Sequence, residues 1–247
     1  MSTATPLSGR VWQQGRYETL AMLRNGEQLV LMVVLPLMAL IGLTVTPFLD
    51  GLGPNRVDVA APGVLALCTM STGFTGQGIA TGFDRRYGVL RFLSTTPLGR
   101  AGLIAGKTIA VLVVLAIQVV VIGGIAWLIG WRPSFPGAIL GLVLLAIGAG
   151  VFTALGLLVA GTARPEATLA VTNLVWILFG VFGGIVMPST KLPSQISGIV
   201  GFLPSGALGD ASRAAFLHGS LDVQAAVVLV VWGAAAGLAA SRWFKWN

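Results

Sequence analysis

Charge is what this chain has least of. Only 9% of its 247 residues are Asp, Glu, Lys or Arg, while 55% are hydrophobic. Soluble domains carry roughly 25% charged residues, so the shortage excludes an ordinary soluble fold and points to an integral membrane protein. The single cysteine, Cys68, excludes an intramolecular disulfide. The single histidine, His218, lies outside the long apolar runs, so the His and carboxylate ligands of an intramembrane metalloprotease are missing and no metal site is expected. An intramembrane serine protease would lack its base. A net charge of +7 raises the question of nucleic acid. The basic residues, however, flank apolar runs and form no face of a soluble fold, which is the loop bias of membrane proteins. No nucleic-acid partner is expected.

What the chain has in abundance is apolar sequence. Six stretches approach the roughly 20 residues needed to cross a bilayer core: 29–49, 59–83, 108–130, 137–161, 167–187 and 223–241. As drawn, none of them contains an ionisable residue. Ion- and proton-coupled carriers place such a group near the midplane, so this chain is expected to need an external driver. Residues 1–28 are polar, and the first apolar run exceeds the ~7–15 residues of a signal-peptide core; it reads as a retained span. Pro36 and Pro62 are expected to bend the first two spans. Gly73, Gly76, Gly78 and Gly82 make the second span smooth, for close packing or a pathway. The chain reads as one domain, 1–247, with no internal repeat.

Residues 8–26 read as an amphipathic helix. Val11, Trp12, Leu20, Met22 and Leu23 share one half, and Gln13, Gln14, Tyr17, Glu18, Arg24 and Asn25 the other. Such a helix before a span lies in the membrane interface; the alternative is a short cytoplasmic helix packed on a partner. With the N-terminus inside, the inner segments carry eleven Lys and Arg and the outer segments four, which sets six spans with both termini cytoplasmic. Trp127, Trp131, Trp243 and Trp246 suit the interfacial aromatic belt, while Trp176 and Trp232 read as packing residues. Residues 188–221 suggest two half-length helices, one over 196–203 and one over 207–217, dipping into the outer leaflet and returning. Such backbone is tolerated only where protein or water covers it.

Polar chemistry concentrates between the second and third spans. Residues 84–107 hold Arg85, Arg86, Arg91, Arg100 and Lys107, five of the fifteen basic side chains. The stretch from Ala101 to Thr108 comes within one residue of a phosphate-binding loop, with Ala101 in place of the first Gly. It leads into a span instead of following a buried strand, so nucleotide binding is not expected. Within the spans, Gln77, Gln118 and Asn173 are the costliest polar side chains to bury; they are the candidates for a substrate path.

The run Asp84-Arg85-Arg86-Tyr87-Gly88-Val89-Leu90-Arg91-Phe92-Leu93-Ser94-Thr95-Thr96-Pro97-Leu98, followed by Gly106-Lys107, resembles the cytoplasmic loop of ABC type-2 permeases, the drug-resistance exporter group among them. Asp84 stands where Glu is common in that family. A second match is Pro188-x4-Pro193, then Leu203-Pro204, Arg213 and Gly219, similar to the family's outer re-entrant region. The resemblance implies an all-α membrane fold of the type V ABC exporter kind: an interfacial helix, six spans and a re-entrant hairpin before the last. It implies pairing with a second permease copy or paralogue and with two ABC ATPase subunits, which hold the ATP and Mg; this chain would carry no cofactor and no catalytic residue. The loop would be a coupling helix inserted into the ATPase, through Asp84, Arg85, Arg86, Gly88, Leu90, Arg91, Phe92, Leu93 and Pro97, with a lesser contact at 161–166. The expected function is export of an amphipathic or lipid-like molecule across a bacterial cytoplasmic membrane. The alternatives are a non-transporting subunit that recruits or regulates an ATPase, and a stand-alone channel or carrier.

Overall fold

The computed structural model describes residues 6–246, apart from the side chains of residues 27–29, 31, 190 and 194. Among these residues there are helices and turns and no strand. In chain order the helices are α1 (Leu7–Arg24), α2 (Gly26–Val45), α3 (Arg56–Met70), α4 (Gln77–Arg86), α5 (Val89–Ser94), α6 (Gly99–Leu128), α7 (Phe135–Thr162), α8 (Pro165–Val181), α9 (Ser194–Gly201), α10 (Pro204–His218) and α11 (Val223–Trp243). A π-helical segment, Ser71–Gly76, joins α3 to α4.

Four helical runs are long and apolar enough to cross a membrane: Arg56–Arg86, Gly99–Leu128, Phe135–Thr162 and Val223–Trp243. The first and fifth expected spans correspond to shorter apolar helices, Met32–Val45 within α2 and Pro165–Val181. The fifth was expected to reach residue 187 but stops at Val181. Gly184 then takes a positive φ of 75°, and the chain turns inward. Ile185 is fully buried there.

The run from α3 to α4 is the centre of the molecule, buried over 83% of its apolar stretch, against 22% for α11. Glycine makes this possible at the crossing with α7, where a Cβ on Gly156 would lie 2.5 Å from the Phe74 carbonyl oxygen. Helix starts follow their local chemistry. Ser134 caps α7 by accepting from the Gly137 N–H at 3.2 Å, and Asp222 caps α11 through the Ala225 N–H at 3.0 Å. Pro204 opens α10 in the first turn, and Gly219, with φ 63°, closes it.

Helix α7 also defines two ends. Near its start, Gly137 lies against the Ala215 carbonyl of α10; near its end, Gly161 lies under the Phe244 ring. At the α10 end, Arg213 is buried. It donates to the carbonyls of Ile185 (2.9 Å) and Gly184 (2.7 Å) and to Asp210 (2.8 Å), which in turn accepts from the Ser189 hydroxyl and N–H. The two short helices expected before the last span are present as α9 and α10. Three aromatic assignments divide differently. Trp176 donates to the Ser71 hydroxyl at 2.7 Å and Trp232 to the Phe202 carbonyl at 2.9 Å, as packing residues do. Trp131, expected at the membrane interface, instead turns inward and packs on Phe216 at 5.2 Å between centroids.

Candidate functional site

The basic end is built around the crossing of α1 and α6. Gly15 and Gly106 meet there: a Cβ on Gly15 would sit 2.8 Å from the Ile109 side chain, and one on Gly106 would sit 2.7 Å from Gln14. Without those two glycines the helices would be held apart. Their approach brings Glu18 over Lys107, the residue after Gly106. The Lys107 ammonium, fully buried, lies 2.9 Å from Glu18 Oε2 and 3.2 Å from Asp84 Oδ2 at the end of α4. Gln14 donates to the other Glu18 oxygen at 2.8 Å. One cation therefore ties three helices together.

The network turns part of the polar half of α1 toward the protein. Its buried residues are Gln14, Gly15, Glu18 and Met22, while Trp12 and Leu20 are exposed. Gln14 and Glu18 turn to the protein because the Lys107 ammonium lies beneath them, while Gln13, Tyr17, Arg24 and Asn25 stay exposed. The charged loop is also shorter than 84–107, since α6 begins at Gly99 and takes in residues 99–107. Lys107, expected in the loop just before the third span, is thus the ninth residue of a continuous helix that runs on into it. At 30 residues, α6 is roughly 45 Å long and outreaches a ~30 Å hydrocarbon core. Its first turns have length to spare for this network. The near-match to a phosphate-binding loop, 101–108, is continuous helix.

The loop itself is a rigid bracket. α4 ends at Arg86, Gly88 turns the chain with φ 78°, and α5 runs over six residues. Leu90 and Leu98 are buried with Leu103, Leu157 and Phe244 in a small core of their own. Arg85 donates to the carbonyls of Ala160 (3.3 Å) and Ala163 (2.8 Å) at the end of α7, and Arg100 to those of Ser241 (3.2 Å) and Arg242 (3.1 Å) at the end of α11. These guanidinium groups satisfy carbonyls that a helix end leaves without partners. Arg10 of α1 donates to the Pro97 carbonyl at 2.7 Å, and the Lys245 N–H to Gly161 at 3.0 Å.

The nine loop residues expected to face a partner therefore separate into three sets. Asp84, Arg85 and Leu90 point into the chain as ion partner, helix cap and core residue. Gly88 supplies the turn, Leu93 is half-buried and Pro97 lends its carbonyl to Arg10. Arg86, Arg91 and Phe92 face outward, the last 70% exposed, beside Tyr87 at 73%. Tyr87 stacks on Phe83 at 6.2 Å. The product is a basic, aromatic knob on a bolted frame.

The three candidate path residues share no partner. Gln118 donates to the Met32 carbonyl at 3.0 Å and accepts from Thr72 at 3.3 Å. Pro36, four residues after Met32, has no N–H to offer that carbonyl. Gln118 repairs the gap that the proline opens. Asn173 is exposed on α8. Gln77 is buried, with Nε2 3.2 Å from Met22 Sδ and Oε1 without a partner among the described residues. Sequence reasoning missed Glu18 and Gln14; the only signal was the Gly106-Lys107 pair, which needs a carboxylate from elsewhere in the chain.

The order of elements, with a bracketed loop, a Gly-Lys pair entering a long apolar helix and two short helices before the last, agrees with one comparison. The family model described as ABC-2 type transporter matches residues 10–217. The chain belongs to the ABC-2 type transporter family. It is a permease subunit of such a transporter, a membrane-embedded transport component whose family works with ABC ATPase partners. No curated protein matches it in sequence. For this ABC-2 permease, the knob and its frame are the candidate coupling site.

Proposed function

We propose that this permease is the membrane half of an ATP-driven exporter. It crosses the bacterial cytoplasmic membrane six times with both termini inside and moves an amphipathic or lipid-like substrate outward. It works with a second permease copy or paralogue and two ATPase subunits that hold the ATP and Mg. The observation that carries this reading is the outward pairing of Arg91 and Phe92 on a helix whose neighbour Leu90 is fully buried. Arg86 and Arg91 suit charge-assisted bonds to acidic cleft residues, and Phe92 supplies an apolar plug. Rigid attachment turns such a contact into a lever. A push on α5 passes through Leu90 to the small core at the ends of α7 and α11, and through Asp84–Lys107–Glu18 to α6 and α1. Outward direction and substrate class follow the resemblance to drug-resistance exporters and the lack of ionisable residues in the six apolar stretches.

The test is Arg91→Ala with Phe92→Ala. Both side chains are exposed, so the fold is expected to survive. The double variant should lose co-purification with the ATPase, or hydrolyse ATP without moving a labelled lipophile in reconstituted vesicles. Intact assembly with coupled export would refute the docking surface. Intact assembly without any transport in the wild-type complex would favour a recruiting subunit.

A further inference from the structure

The two sides of α1 have opposite chemistry. Gln14, Glu18 and Met22, spaced four residues apart, make its buried side. Trp12, Arg16, Leu20 and Arg24, at the same spacing, run along the other side and are all exposed. Tyr17 adds a second exposed ring. Among the described residues, neither Arg16 nor Arg24 has a hydrogen-bond or ion partner. The carboxylate nearest in sequence within α1, Glu18, is turned away to Lys107. Two guanidinium groups and two rings thus share an exposed side on which this helix supplies no negative charge.

The depth of that side is also defined. α1 runs beside the first part of α6, with Val11 near Gly102 and Met22 packed with Ala110 and Val114. Glu18 thereby sits level with Lys107, which lies about 20 residues and roughly 30 Å before Trp127 in the same helix. A hydrocarbon core is ~30 Å thick. With the exposed Trp127 ring at one membrane surface, the Glu18–Lys107 pair is therefore at the other. Past Arg24 the chain enters α2, where Val30, Val34, Met38, Ile41 and Val45 present an exposed apolar side of the kind that faces acyl chains. The exposed side of α1 borders the headgroups, and arginine stems of this length reach phosphates from there.

We propose that the exposed side of α1 is a docking surface for anionic phospholipid, with phosphates at Arg16 and Arg24 and with Trp12 and Leu20 against the upper acyl carbons. A guanidinium suits phosphate as a two-pronged donor, and unpaired positive charge at a membrane surface selects anionic over zwitterionic lipid. The lipid is a resident partner, distinct from the transported molecule and from the knob at Arg91 and Phe92. Calling its location the inner leaflet rests on the topology proposed above.

The test places the full chain in vesicles whose two leaflets have the same composition, so the result does not depend on which side faces the cytoplasm. Dibrominated phosphatidylglycerol or dibrominated phosphatidylcholine is titrated into a phosphatidylcholine background. Quenching of Trp12 is read as the difference between the wild type and Trp12→Phe. The anionic lipid is expected to occupy the site at least about tenfold better than the zwitterionic one, because each arginine near a membrane surface contributes about fivefold. Arg16→Gln and Arg24→Gln should each lower the preference by about that factor, and the double variant should bring it near unity. Both side chains are exposed, so the fold is expected to survive. High salt should shrink the wild-type preference as well. Arg164→Gln removes another exposed charge at the same end of the molecule, next to the Ala163 carbonyl that Arg85 holds; it should leave the Trp12 preference unchanged. Equal quenching by the two lipids, a preference retained in the double variant, or an equal loss in Arg164→Gln would overturn the site. Absence of quenching by either lipid would give this side of α1 to a protein partner and overturn it equally.

Discussion

Lys107 and Arg213 are both buried cations, and the company they keep differs. Lys107 holds two carboxylates from two other helices, Glu18 lying 89 residues away and Asp84 23. Arg213 holds one carboxylate, Asp210, a turn earlier on its own helix, and its two terminal nitrogens also donate to the neutral carbonyls of Gly184 and Ile185. The first cluster is a bolt through α1, α4 and α6. The second is a local staple that fixes the turn after α8 against α10. Similar parts thus serve at one end to join elements that must move together, and at the other to seal a backbone excursion inside the protein.

The largest expected effect comes from removing the bolt. Lys107→Met leaves Glu18 and Asp84 near each other with no cation, and breaking even one buried pair costs about 3–5 kcal/mol. The variant should show the deepest fall in apparent melting temperature in detergent, and Glu18→Gln in the same chain should recover part of it. Arg213→Met strands a single carboxylate that still accepts from the Ser189 hydroxyl and N–H. Its loss should be smaller, about 2–3 kcal/mol. The reverse order would mean that the stapled turn, and not the three-helix bolt, limits stability.

The same contrast explains what the sequence made legible. Apolar run length placed the long helices, and the proline and glycine punctuation placed α10, because both signals are local. The knob was legible too: Arg91 and Phe92 stand out in an apolar chain. The bolt was not. Glu18 lies on the polar half of a helix that, judged alone, belongs against water or headgroups. The crossing at Gly15 and Gly106 brings Glu18 and Gln14 inward, and helical periodicity holds no record of a neighbour 89 residues away. The partner of Gln118 was hidden for a related reason. It is a carbonyl freed by Pro36, a demand created in another helix. Charged and amide residues in such a chain are read better by asking which distant backbone or ion lacks a partner than by which face they occupy.

Two left-handed glycines refine the comparison at the smallest scale. Gly88 and Gly184 have nearly the same backbone, φ 78° and 75°, and each turns the chain beside one cluster. Any other residue there pays about 1–2 kcal/mol for the left-handed conformation. Their surroundings differ. A Cβ at Gly88 meets nothing within 4 Å, whereas one at Gly184 would sit 2.8 Å from the Val200 side chain and 3.2 Å from the Gly206 Cα. Gly88→Ala should therefore cost about 1 kcal/mol and leave the knob in place, visible as a small shift in melting temperature with ATPase binding retained. Gly184→Ala adds overpacking of about 1–3 kcal/mol to the same strain. It should also displace the carbonyls that Arg213 holds. If the two alanine variants melt alike, the turn beside Arg213 is looser than its contacts require, and the staple is not what fixes it.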